Sequence, residues 1–568
     1  TTHETILCNL FAEILGLDGQ PDCEAGFFAL GGDSILAIQL VSRARSAGLL
    51  FSARDVFTQQ SVARLALVAE AAPDDPHPTA DDDTGSGDLL ATPIMHWLRE
   101  LGGAWSGFNQ SMTVQVPAGA DEQRLTDALQ TVLDRHDALR LTARQDATGW
   151  QLRVCSPGEV RAGDLLHRVD ARRFYGSALK DTMAAEGELA RQRLDPEHGE
   201  VIRFVWFDRG TDRPGLLLVL VHHLAMDGVS WRILLPDLAA AWRGDEPGPV
   251  PASFRRWAAA LAAAAPARRG ELPRWEAVHG TPDPRLGLRD PDPVRDTAVT
   301  ARSLTLSLPP ELSEKLLTSV PAAVHAGVDD VLLTGLALAV REYRAARGTD
   351  LPSVLVDLEG HGRREIADGL DLSRTVGWFT TLHPVRLEPG DGSPGQALKR
   401  IKEQLRELPD HGIGYGMLRH LDADGAAALA GRAAPQLGFN YLGRFPSAPD
   451  PTESGWLGGA DDWTAVSGAP SPAPRDPDMP VGHALEINAV TRDLPGGPEL
   501  SATWTWPGEL FTEDEVRSLA TAWFAALGAL ADDVLQSGTG GLTPSDLSLA
   551  GLSQDEIDDL EAELRDLA

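Results

Sequence analysis

The 568-residue sequence predicts a small all-α unit followed by a much larger α/β region. Three observations support this fold class. Apolar residues recur at helical spacing up to Val68, and the next stretch, residues 71–87, is rich in Pro, Asp, Thr, Gly and Ser. That composition cannot build a core and therefore predicts a linker. Beyond it, strand-like apolar runs alternate with Ala/Leu/Arg-rich helical stretches, a pattern typical of α/β proteins.

Three helices are predicted in the N-terminal unit. Their apolar positions are Ile6, Leu7, Leu10, Phe11, Ile14 and Leu15, then Ile35, Leu36, Ile38 and Leu40, then the stretch Val62–Val68. Ser34 follows Gly31-Gly32-Asp33 and opens the second helix, which Gly48 ends. Helix N-terminal amides and the positive dipole end can stabilise a phosphate attached at this position. The alternative is that Ser34 acts only as an N-cap.

The large region divides into strands, helices and irregular segments. Strands are predicted over 112–116, 201–207, 216–221, 354–358 and 500–506, and helices over 124–139 and 331–347. The Pro-rich stretch 282–293 indicates a division into two lobes. The loop 446–480, rich in Gly, Pro, Ser and Asp, is expected to be irregular. Residues 537–541 form a Gly/Ser/Thr spacer before a final short helix.

Composition excludes several classes of function. Asp and Glu total 83 against 50 Lys and Arg, and the net charge of −33 makes nucleic acid and anionic membranes poor partners. The cysteines, Cys8, Cys23 and Cys155, form no disulfide pattern and predict a reducing, cytoplasmic compartment. No apolar run approaches membrane-spanning length. The sequence begins at Thr1 without Met, and we expect it to be a fragment of a longer polypeptide.

A histidine pair follows one of the predicted strands. The run 216–221 leads directly into His222-His223, and Asp227-Gly228 follow. Successive strand residues face opposite sides, so we expect His222 to be buried and structural, and His223 to face a cavity. A histidine there suits proton transfer near neutral pH. We expect Asp227 to pair with an arginine and Gly228 to permit a tight turn. A His-His-Asp metal site is an alternative, but it lacks a compelling third ligand, and we predict no metal.

A carboxylate at a second strand end is the other candidate for proton transfer. Glu359 follows the apolar run 354–358 and precedes a glycine turn. A carboxylate near apolar walls can have a raised pKa, which suits proton abstraction. The alternative is a solvated salt bridge between Glu359 and Arg363 or Arg364.

The N-terminal unit resembles the peptidyl carrier domains of nonribosomal peptide synthetases. The resemblance rests on the order helix, Gly-Gly-Asp-Ser-Ile, helix, helix. It implies that Ser34 carries 4′-phosphopantetheine, a swinging thiol arm that holds the substrate as a thioester. Asp33 stands where other carriers have His, and this variant resembles carriers that work with epimerisation domains.

The string HHLAMDGVSW, residues 222–231, is similar to the HHxxxDGxSW signature of the condensation and epimerisation domains of these synthetases. The resemblance implies two chloramphenicol acetyltransferase-like lobes with a tunnel between them. It also implies a catalytic role for His223 and a structural role for Asp227. The string EGHGR, residues 359–363, resembles a glutamate motif specific to epimerisation domains, which implies that Glu359 is catalytic.

Other segments resemble epimerisation motifs, in the expected order. They are PIMHW at 93–97, RTVGWFT at 374–380, GIGYG at 412–416 and FNYLGRF at 439–445. The last motif implies that Asn440 and Tyr441 lie near the reacting centre. Met95 and His383 depart from the usual Gln and Tyr, which affects only local tunnel contacts. Core packing is expected for the aromatic residues Trp378, Phe379 and Phe439.

The C-terminal segment predicts a short amphipathic helix. Ser553 and Glu556 form a capping box before it. Its apolar positions are Ile557, Leu560, Leu564 and Leu567. Such a helix can dock on its own domain. The start Thr-Pro-Ser-Asp at 543–546, followed by an acidic helix, resembles the donor docking segments of peptide-synthetase subunits, which implies a basic acceptor on a downstream subunit.

These observations predict a carrier–epimerisation didomain. Residues 1–72 form the carrier, 73–88 the linker, 89–536 the epimerisation domain and 537–568 a docking-like tail. Within the epimerisation domain, the N-lobe covers about 89–280 and the C-lobe about 294–536. We expect a monomer that works with an upstream adenylation domain and a downstream synthetase subunit.

The predicted reaction inverts the α-carbon, from L to D, of an aminoacyl or peptidyl thioester on Ser34. His223 and Glu359 are the predicted proton-handling groups, and which of them acts as the base is left open. Asn440 and Tyr441 are candidates to stabilise the oxygen of the enolate-like state or a protonation state. Two rival functions are amide-bond formation by a condensation domain and presentation of cargo by a non-catalytic module. The glutamate motif argues against both.

Overall fold

The computed structural model describes most of the chain. Outside the description are residues 16, 18, 29, 33, 72–84, 148, 365, 368, 446–461, 467, 537–539, 548–551, 555, 558 and 561–568. Only the backbone is described at 34, 35, 38, 42, 46, 53, 54 and 57. Three residues named above, Asp33, Leu564 and Leu567, therefore lie outside the described residues.

The N-terminal unit contains the three predicted helices and one more. Its elements are α1 (Thr2–Leu15), α2 (Ser34–Ser46), β1 (Leu49–Leu50), α3 (Ala53–Gln59), α4 (Val62–Val68) and β2 (Glu70–Ala71). Their shared core includes the fully buried Leu7, Phe11, Phe27, Leu40 and Leu65. Helix α3 was not predicted, although the sequence carries a signal for it, because Ser52 and Asp55 form a capping box at its start.

The first lobe of the large domain contains two sheets. Its strands are β3 (Gly87–Leu89), β4 (Asn109–Val116), β5 (Leu141–Asp146), β6 (Gly149–Val154), β7 (Leu166–Asp170), β8 (Ile202–Asp208) and β9 (Gly215–His222). They form sheets in the orders β4-β9-β8-β7 and β3-β6-β5, in which only β7 and β8 pair in parallel. Its helices are α5 (Pro93–Leu101), α6 (Glu122–Arg135), α7 (Ala162–Leu165), α8 (Gly176–Gln192), α9 (Trp231–Arg243), α10 (Phe254–Ala264) and α11 (Leu272–His279).

The second lobe is built on one six-stranded sheet in the order β10-β15-β14-β13-β11-β12. The strands are β10 (Ala301–Ser307), β11 (Val354–Gly360), β12 (Thr381–Leu387), β13 (Leu437–Phe445), β14 (Leu485–Leu494) and β15 (Gly497–Pro507). The helices are α12 (Pro310–Glu314), α13 (Val320–Ala323), α14 (Val328–Ala345), α15 (Pro394–Arg406), α16 (Ile413–Leu421), α17 (Ala423–Leu429) and α18 (Glu513–Gln536). The β11–β13 and β13–β14 pairs are parallel.

The two faces of this sheet differ in polarity. Val356, Phe439 and Ile487 on the three central strands are buried in the core that α14 and α18 complete. Their chain neighbours face the other way, because strand residues alternate, and the register aligns these strands. The second face, called the polar face below, carries Asp357, Glu359, Asn440, Glu486 and Asn488.

The two lobes are interleaved along the chain. Residues 370–379 from the second half pack in the core of the first lobe, where Phe379 lies 5.2 Å from Phe254 between ring centroids. The segment 462–480 also returns to the first lobe, because Ala465 pairs with Val114 on β4. The predicted lobe boundaries at 280 and 294 therefore do not separate the two cores. Trp463 of the later segment packs beside Trp242 on α9, with 5.5 Å between ring centroids.

Two local boundaries also differ from the prediction. The linker predicted over 73–88 ends earlier, because Gly87 and Asp88 pair with β6. The helix predicted over 124–139 ends at Arg135 in the structure, and a 3-10 turn, Asp137–Arg140, follows it.

The beginning of the predicted docking tail packs on the second lobe. Thr543 is fully buried, and the 3-10 turn Pro544–Leu547 contacts α15. Lys402 on α15 lies 2.6 Å from Asp546 in this turn. Further along the tail, Ile557 is 1% exposed, although Ser553 and Glu556 beside it are exposed. The tail predicted over 537–568 is therefore part of the domain at least as far as this turn.

No segment as apolar as helix α18 was predicted from the sequence. Among the described residues α18 is the one helix that is long and apolar enough to cross a membrane. The helical segments 310–323 and 328–345 reach that length and apolar character only when they are taken together as one bent pair. Leu519, Trp523 and Leu527 of α18 are buried in the core of the second lobe. This burial accounts for the composition of the helix.

Described residues of α2 and of the turn before it contact the large domain. Arg45 on α2 forms an ion pair with Asp371. The turn before α2 lies against the side chain of Arg444, a residue of β13, since a Cβ added to Gly31 would be 2.7 Å from Arg444 Nη1. Arg444 is four residues beyond Asn440 on that strand. The carrier is thus placed with the start of α2 beside the strand that bears Asn440.

Candidate active site

His222 ends β9 and is fully buried. Its Nε2 donates to the carbonyl of Trp105 at 2.8 Å, and its Nδ1 accepts from the backbone of Leu224 at 3.1 Å. Both ring nitrogens are therefore occupied. His222 holds the end of the strand and the turn that follows it.

His223 opens the 3-10 turn His223–Ala225 and is only partly buried. Its ring stacks on Phe108 and lies beside Trp378, at centroid distances of 4.7 and 4.8 Å. Burial lowers the pKa of His223 to about 4. The imidazole is therefore neutral near pH 7 and can accept a proton.

Gln110 on β4 sets the tautomer of His223. Trp231 Nε1 is only a donor and lies 3.1 Å from Gln110 Oε1, so this oxygen accepts its hydrogen. The Gln110 amide nitrogen then donates to His223 Nε2 at 2.9 Å, which assigns the imidazole hydrogen to Nδ1. His223 Nε2 becomes available to a substrate when the substrate displaces this amide hydrogen.

Asp227 is tied to the glutamate motif by Arg363. Arg363 Nη2 donates to Asp227 Oδ1 at 3.0 Å and to Ser230 Oγ at 2.8 Å, and both charged side chains are buried. Asp227 Oδ2 also accepts from the backbone of Phe379. These donors engage the carboxylate and join the turn after His223 to the turn after Glu359.

Gly228 differs from its expected role. It lies in the turn after Asp227, but its φ is not in the left-handed region. A Cβ added there would meet no described atom within 4 Å. The backbone therefore does not require glycine at this position. The missing side chain leaves open space beside Asp227.

Glu359 lies on the polar face of the six-stranded sheet, near the end of β11. Its Oε2 accepts a hydrogen bond from Asn440 Nδ2, 2.9 Å away on the neighbouring parallel strand. Among the described residues no cation forms a salt bridge with Glu359, and Arg363 pairs with Asp227 instead. Glu359 Oε1 is therefore left for a ligand.

The protonation of Glu359 is shifted by its surroundings. Burial raises the pKa of Glu359 to about 7, and the charge of Glu486 adds to the effect. Many protein atoms surround the side chain of Glu359, but solvent still reaches it. A substrate that displaces this water will increase the desolvation of the carboxyl, which favours its neutral form. A carboxyl with this pKa can both accept and deliver a proton near neutral pH.

Tyr441 is placed away from Glu359. Adjacent strand residues face opposite sides, and Tyr441 follows Asn440 on β13. Its hydroxyl lies 3.0 Å from Thr491 Oγ1, and its ring packs on the helix-covered core. The expectation that Tyr441 stabilises the substrate oxygen is therefore corrected. Only Asn440 of the pair reaches Glu359.

Four polar residues beside these motifs escaped the sequence analysis: Gln110, Arg475, His483 and Glu486. Arg475 lies in the loop predicted to be irregular, and Gln110 lies just before a predicted strand. The partners of Gln110 and His483 are more than a hundred positions away in the chain. A polar pair, His483 and Glu486, at the start of a strand was the available signal.

The described part of the chain contains no group of three or more His, Cys, Asp or Glu residues arranged to hold a metal ion. His222, His223 and Asp227 engage separate partners, namely Trp105, Gln110 and Arg363. The alternative of a His-His-Asp metal site therefore has no support in the geometry.

The start of α2 fits the attachment of a phosphate group at Ser34. Gly31 has a φ of +95°, and a Cβ added to Gly32 would lie 2.4 Å from the Phe27 ring. Glycine is therefore needed at both positions of this turn. The turn places the Ser34 backbone at the N-terminus of a 13-residue helix, where free amides and the dipole favour an anion.

Family comparisons match both parts of the chain. A model described as a phosphopantetheine attachment site matches residues 5–68, and one described as a condensation domain matches residues 93–456. The fold and the site thus define a carrier domain followed by a condensation-type α/β domain, and the chain belongs to the condensation domain family. This pair of domains is of nonribosomal peptide synthetase type, and its carrier takes a covalent 4′-phosphopantetheine.

Similar curated proteins are much longer than this chain. A component of the linear gramicidin synthase of Brevibacillus parabrevis is 34% identical over 98% of the chain and 11% of its own length. Chondramide synthase of Chondromyces crocatus is 34% identical over 98% of the chain and 14% of its own length. Tyrocidine synthase 1 of Brevibacillus parabrevis is 28% identical over 99% of the chain and 50% of its own length. The chain thus spans at most half of each of these relatives.

Solved structures confirm the predicted fold class. The epimerization domain from the third module of tyrocidine synthetase B is 28% identical, with a TM-score of 0.67 over 79% of this chain and 98% of that chain. The condensation domain from Monacolin K polyketide synthase shares the fold at 18% identity, with a TM-score of 0.57 over 79% of this chain and 98% of that chain.

Proposed function

We propose that this chain epimerises the α-carbon of an aminoacyl or peptidyl thioester carried on Ser34, from L to D. The observation that carries the proposal is Glu359, a carboxyl with a pKa of about 7 beside Asn440. Inversion needs one group to remove a proton and another to return it to the opposite face. Amide-bond formation needs no second proton-exchanging group on the sheet. The likeness to an epimerization domain supports the same choice.

Each residue has a separate role in the proposed reaction. When attached to Ser34, phosphopantetheine holds the substrate as a thioester, whose α-proton is more acidic than that of an amide. Glu359 exchanges a proton with the α-carbon through Oε1, while Asn440 holds Oε2. His223 exchanges a proton on the opposite face through Nε2. Positioned groups of this kind contribute roughly 10²–10⁴-fold to a rate.

The placement of the carrier supports reaction within one chain. Gly31 lies against Arg444, so the serine end of α2 is next to the strand that bears Asn440. Tethering near the reacting groups raises their effective concentration.

The test begins with the intact chain loaded through a phosphopantetheinyl transferase. Coenzyme A thioesters of L-alanine, L-leucine, L-phenylalanine and an L,L-dipeptide serve as probes, and intact mass measures loading. Hydrolysed cargo is then analysed for chirality and α-deuterium after incubation in deuterated water. We expect D-product with α-deuterium. Ser34→Ala should prevent loading.

Two variants test the assigned groups. Glu359→Gln keeps the size of the side chain but removes the base, so it should slow inversion by roughly 10²-fold or more, and His223→Ala should do the same. Glu311→Gln, an exposed carboxylate on α12, is the matched control and should leave the rate unchanged. Unchanged chirality and no α-deuterium across the whole panel would contradict the proposal. Dipeptide formation with a second pantetheine-bound amino acid would instead support a condensation domain.

A further inference from the structure

Three carboxylates lie close together on the polar face. Asp357 and Glu359 are two residues apart on β11, and Glu486 is on β14, with only β13 between these strands. In the register, Asp357 pairs with Gly438, and Gly438 pairs with Glu486. Because Gly438 has no side chain, nothing from β13 separates these two acids.

Two basic side chains approach these acids from outside the strands. His483, which is 5% exposed, places Nε2 3.0 Å from Asp357 Oδ2. Its ring lies over Gly438, where an added Cβ would be 2.5 Å from His483 Nδ1. Arg475 comes from the segment 462–480 and places Nη2 3.0 Å from Glu486 Oε2. Each of these cations therefore has a nearest carboxylate other than Glu359, and His483 Nδ1 also lies 4.0 Å from Glu486 Oε1.

Glu359 is the third acid, and its described hydrogen-bond partner is the neutral amide of Asn440. If His483 moved to Glu359, Asp357 would lose its described ion-pair partner, and if Arg475 moved, Glu486 would keep only the more distant His483. Removing the partner of a buried charge is strongly destabilising. The pairing pattern therefore leaves Glu359 as the acid that changes protonation with the least disturbance.

We propose that the pairs Asp357–His483 and Glu486–Arg475 act as positioning pairs for Glu359. They hold the nearby cations on other carboxylates, and Glu359 is therefore the proton-exchanging carboxyl of the polar face. The inference rests on the function proposed above and deepens it. It gives roles to Arg475, His483 and Glu486, none of which belongs to the motifs of the sequence analysis.

The electrostatic effects on Glu359 agree with this arrangement. After burial, Glu486 and Asp357 raise its pKa, whereas His483 and Arg475 lower it. Burial lowers the pKa of His483, but the hydrogen bond and charge of Asp357, with the charges of Glu486 and Glu359, outweigh burial and raise it. These surroundings thus favour the charged form of His483. These four groups come from β11, β14, the approach to β14 and the segment 462–480, and β13 contributes Asn440.

Arg475 also connects Glu359 to the histidine motif. Its neighbour Asp476 accepts hydrogen bonds from Arg191 and from the backbone of Gly107, both in the first lobe, at 2.6 Å. After burial, the positive charge of Arg475 helps to lower the pKa of His223. One arginine held between the lobes therefore acts on both proton-exchanging groups.

The test compares two neutralising variants with opposite expected signs. His483→Gln removes a cation and should move the titration midpoint of Glu359 upward by roughly one pH unit. Glu486→Gln removes an anion and should move the midpoint downward by a similar amount. Two readouts are measured: the pH dependence of inversion in the loaded chain, and the ¹³C NMR titration of the Glu359 carboxyl, assigned by its loss in Glu359→Gln.

The control is a matched histidine–aspartate pair elsewhere. In the first lobe, the buried His136 places Nε2 3.0 Å from Asp237 Oδ2. His136→Gln removes the same kind of pair at a site remote from Glu359, so it should not move the titration midpoint of Glu359. A purely structural role would lower stability or activity without opposite shifts. Shifts of the same sign in both variants, or no shift in either, would overturn the inference. The NMR titration needs no turnover, so an absence of epimerisation would refute the proposed function alone.

Discussion

Glu359 links the protonation of one side chain to the stability of the fold. Its pKa rises from the usual 4.5 to about 7, mainly through burial. Between these values the folded chain keeps a proton that the unfolded chain has released. Stability therefore falls as the pH rises through this window. The stabilising effect of the proton is fully present below pH 4.5 and is lost above about 7.

This linkage predicts the pH dependence of a variant's stability. Glu359→Gln is neutral at every pH, so it should be more thermostable than the wild type at pH 8, and the difference should shrink towards pH 5. Thermal unfolding of the unloaded chain across this range measures the effect. The exposed Glu311→Gln should follow the wild-type curve, and a wild type and Glu359→Gln with parallel curves would show that Glu359 titrates normally.

At the scale of elements, the turn Pro544–Leu547 closes a buried charge site on α15. Lys402 is 1% exposed at its side chain, and its Nζ donates to the Val324 carbonyl at 3.0 Å and to Asp546 at 2.6 Å. Asp546 also accepts from the backbone and hydroxyl of Thr543. The Thr-Pro-Ser-Asp segment thus packs on the second lobe.

Removing Asp546 should therefore destabilise the domain. Asp546→Ala leaves the buried Lys402 ammonium without its counter-charge, a change that costs about 3–5 kcal/mol in comparable pairs. Denaturant unfolding measures the loss, and a Lys402→Met/Asp546→Ala double variant should recover much of it. Asp559→Ala, at an exposed position later in the tail, is the control. Equal stability of Asp546→Ala and wild type would restore the boundary predicted at 537.

At the scale of the whole molecule, the described contact between the carrier and the large domain includes a pair of opposite charges. Arg45 on α2 is 36% exposed at its side chain and Asp371 is 11% exposed. Residues near Asp371 pack in the first-lobe core and carry the RTVGWFT segment, so this anchor connects the carrier to the region around His223.

A charge swap tests this contact. Arg45→Glu should repel Asp371 and lower the rate of inversion of cargo loaded in cis by a few-fold, because partly exposed pairs contribute about 0.2–1 kcal/mol. Arg45→Glu/Asp371→Arg should restore the rate. Arg43→Glu, on the same helix but paired with Glu13 within the carrier, is the control. A double variant no faster than Arg45→Glu would show that the pair is not a docking contact.

Much of the fold follows from local patterns. Three carrier helices, the strand that leads to His223, the strand that bears Glu359, and helices α6 and α14 were predicted, because apolar periodicity and strand-end positions depend on residues close in the chain. The long helices α8 and α18 were not predicted. Short elements such as α3, and the end of α6 at Arg135, were missed or misplaced. The segment 370–379 was assigned to the wrong lobe, since its packing depends on partners far along the chain.

The sequence by itself determined the domain order, the serine at the start of α2 and the two motifs that carry His223 and Glu359, because each is encoded within a few consecutive residues. Only the tertiary structure decided which side chains share the site. The strand register sets Asn440 beside Glu359 and turns Tyr441 away. It also brings His483 to Asp357 across 126 positions. Such pairings depend on contacts between distant segments, which local periodicity does not encode.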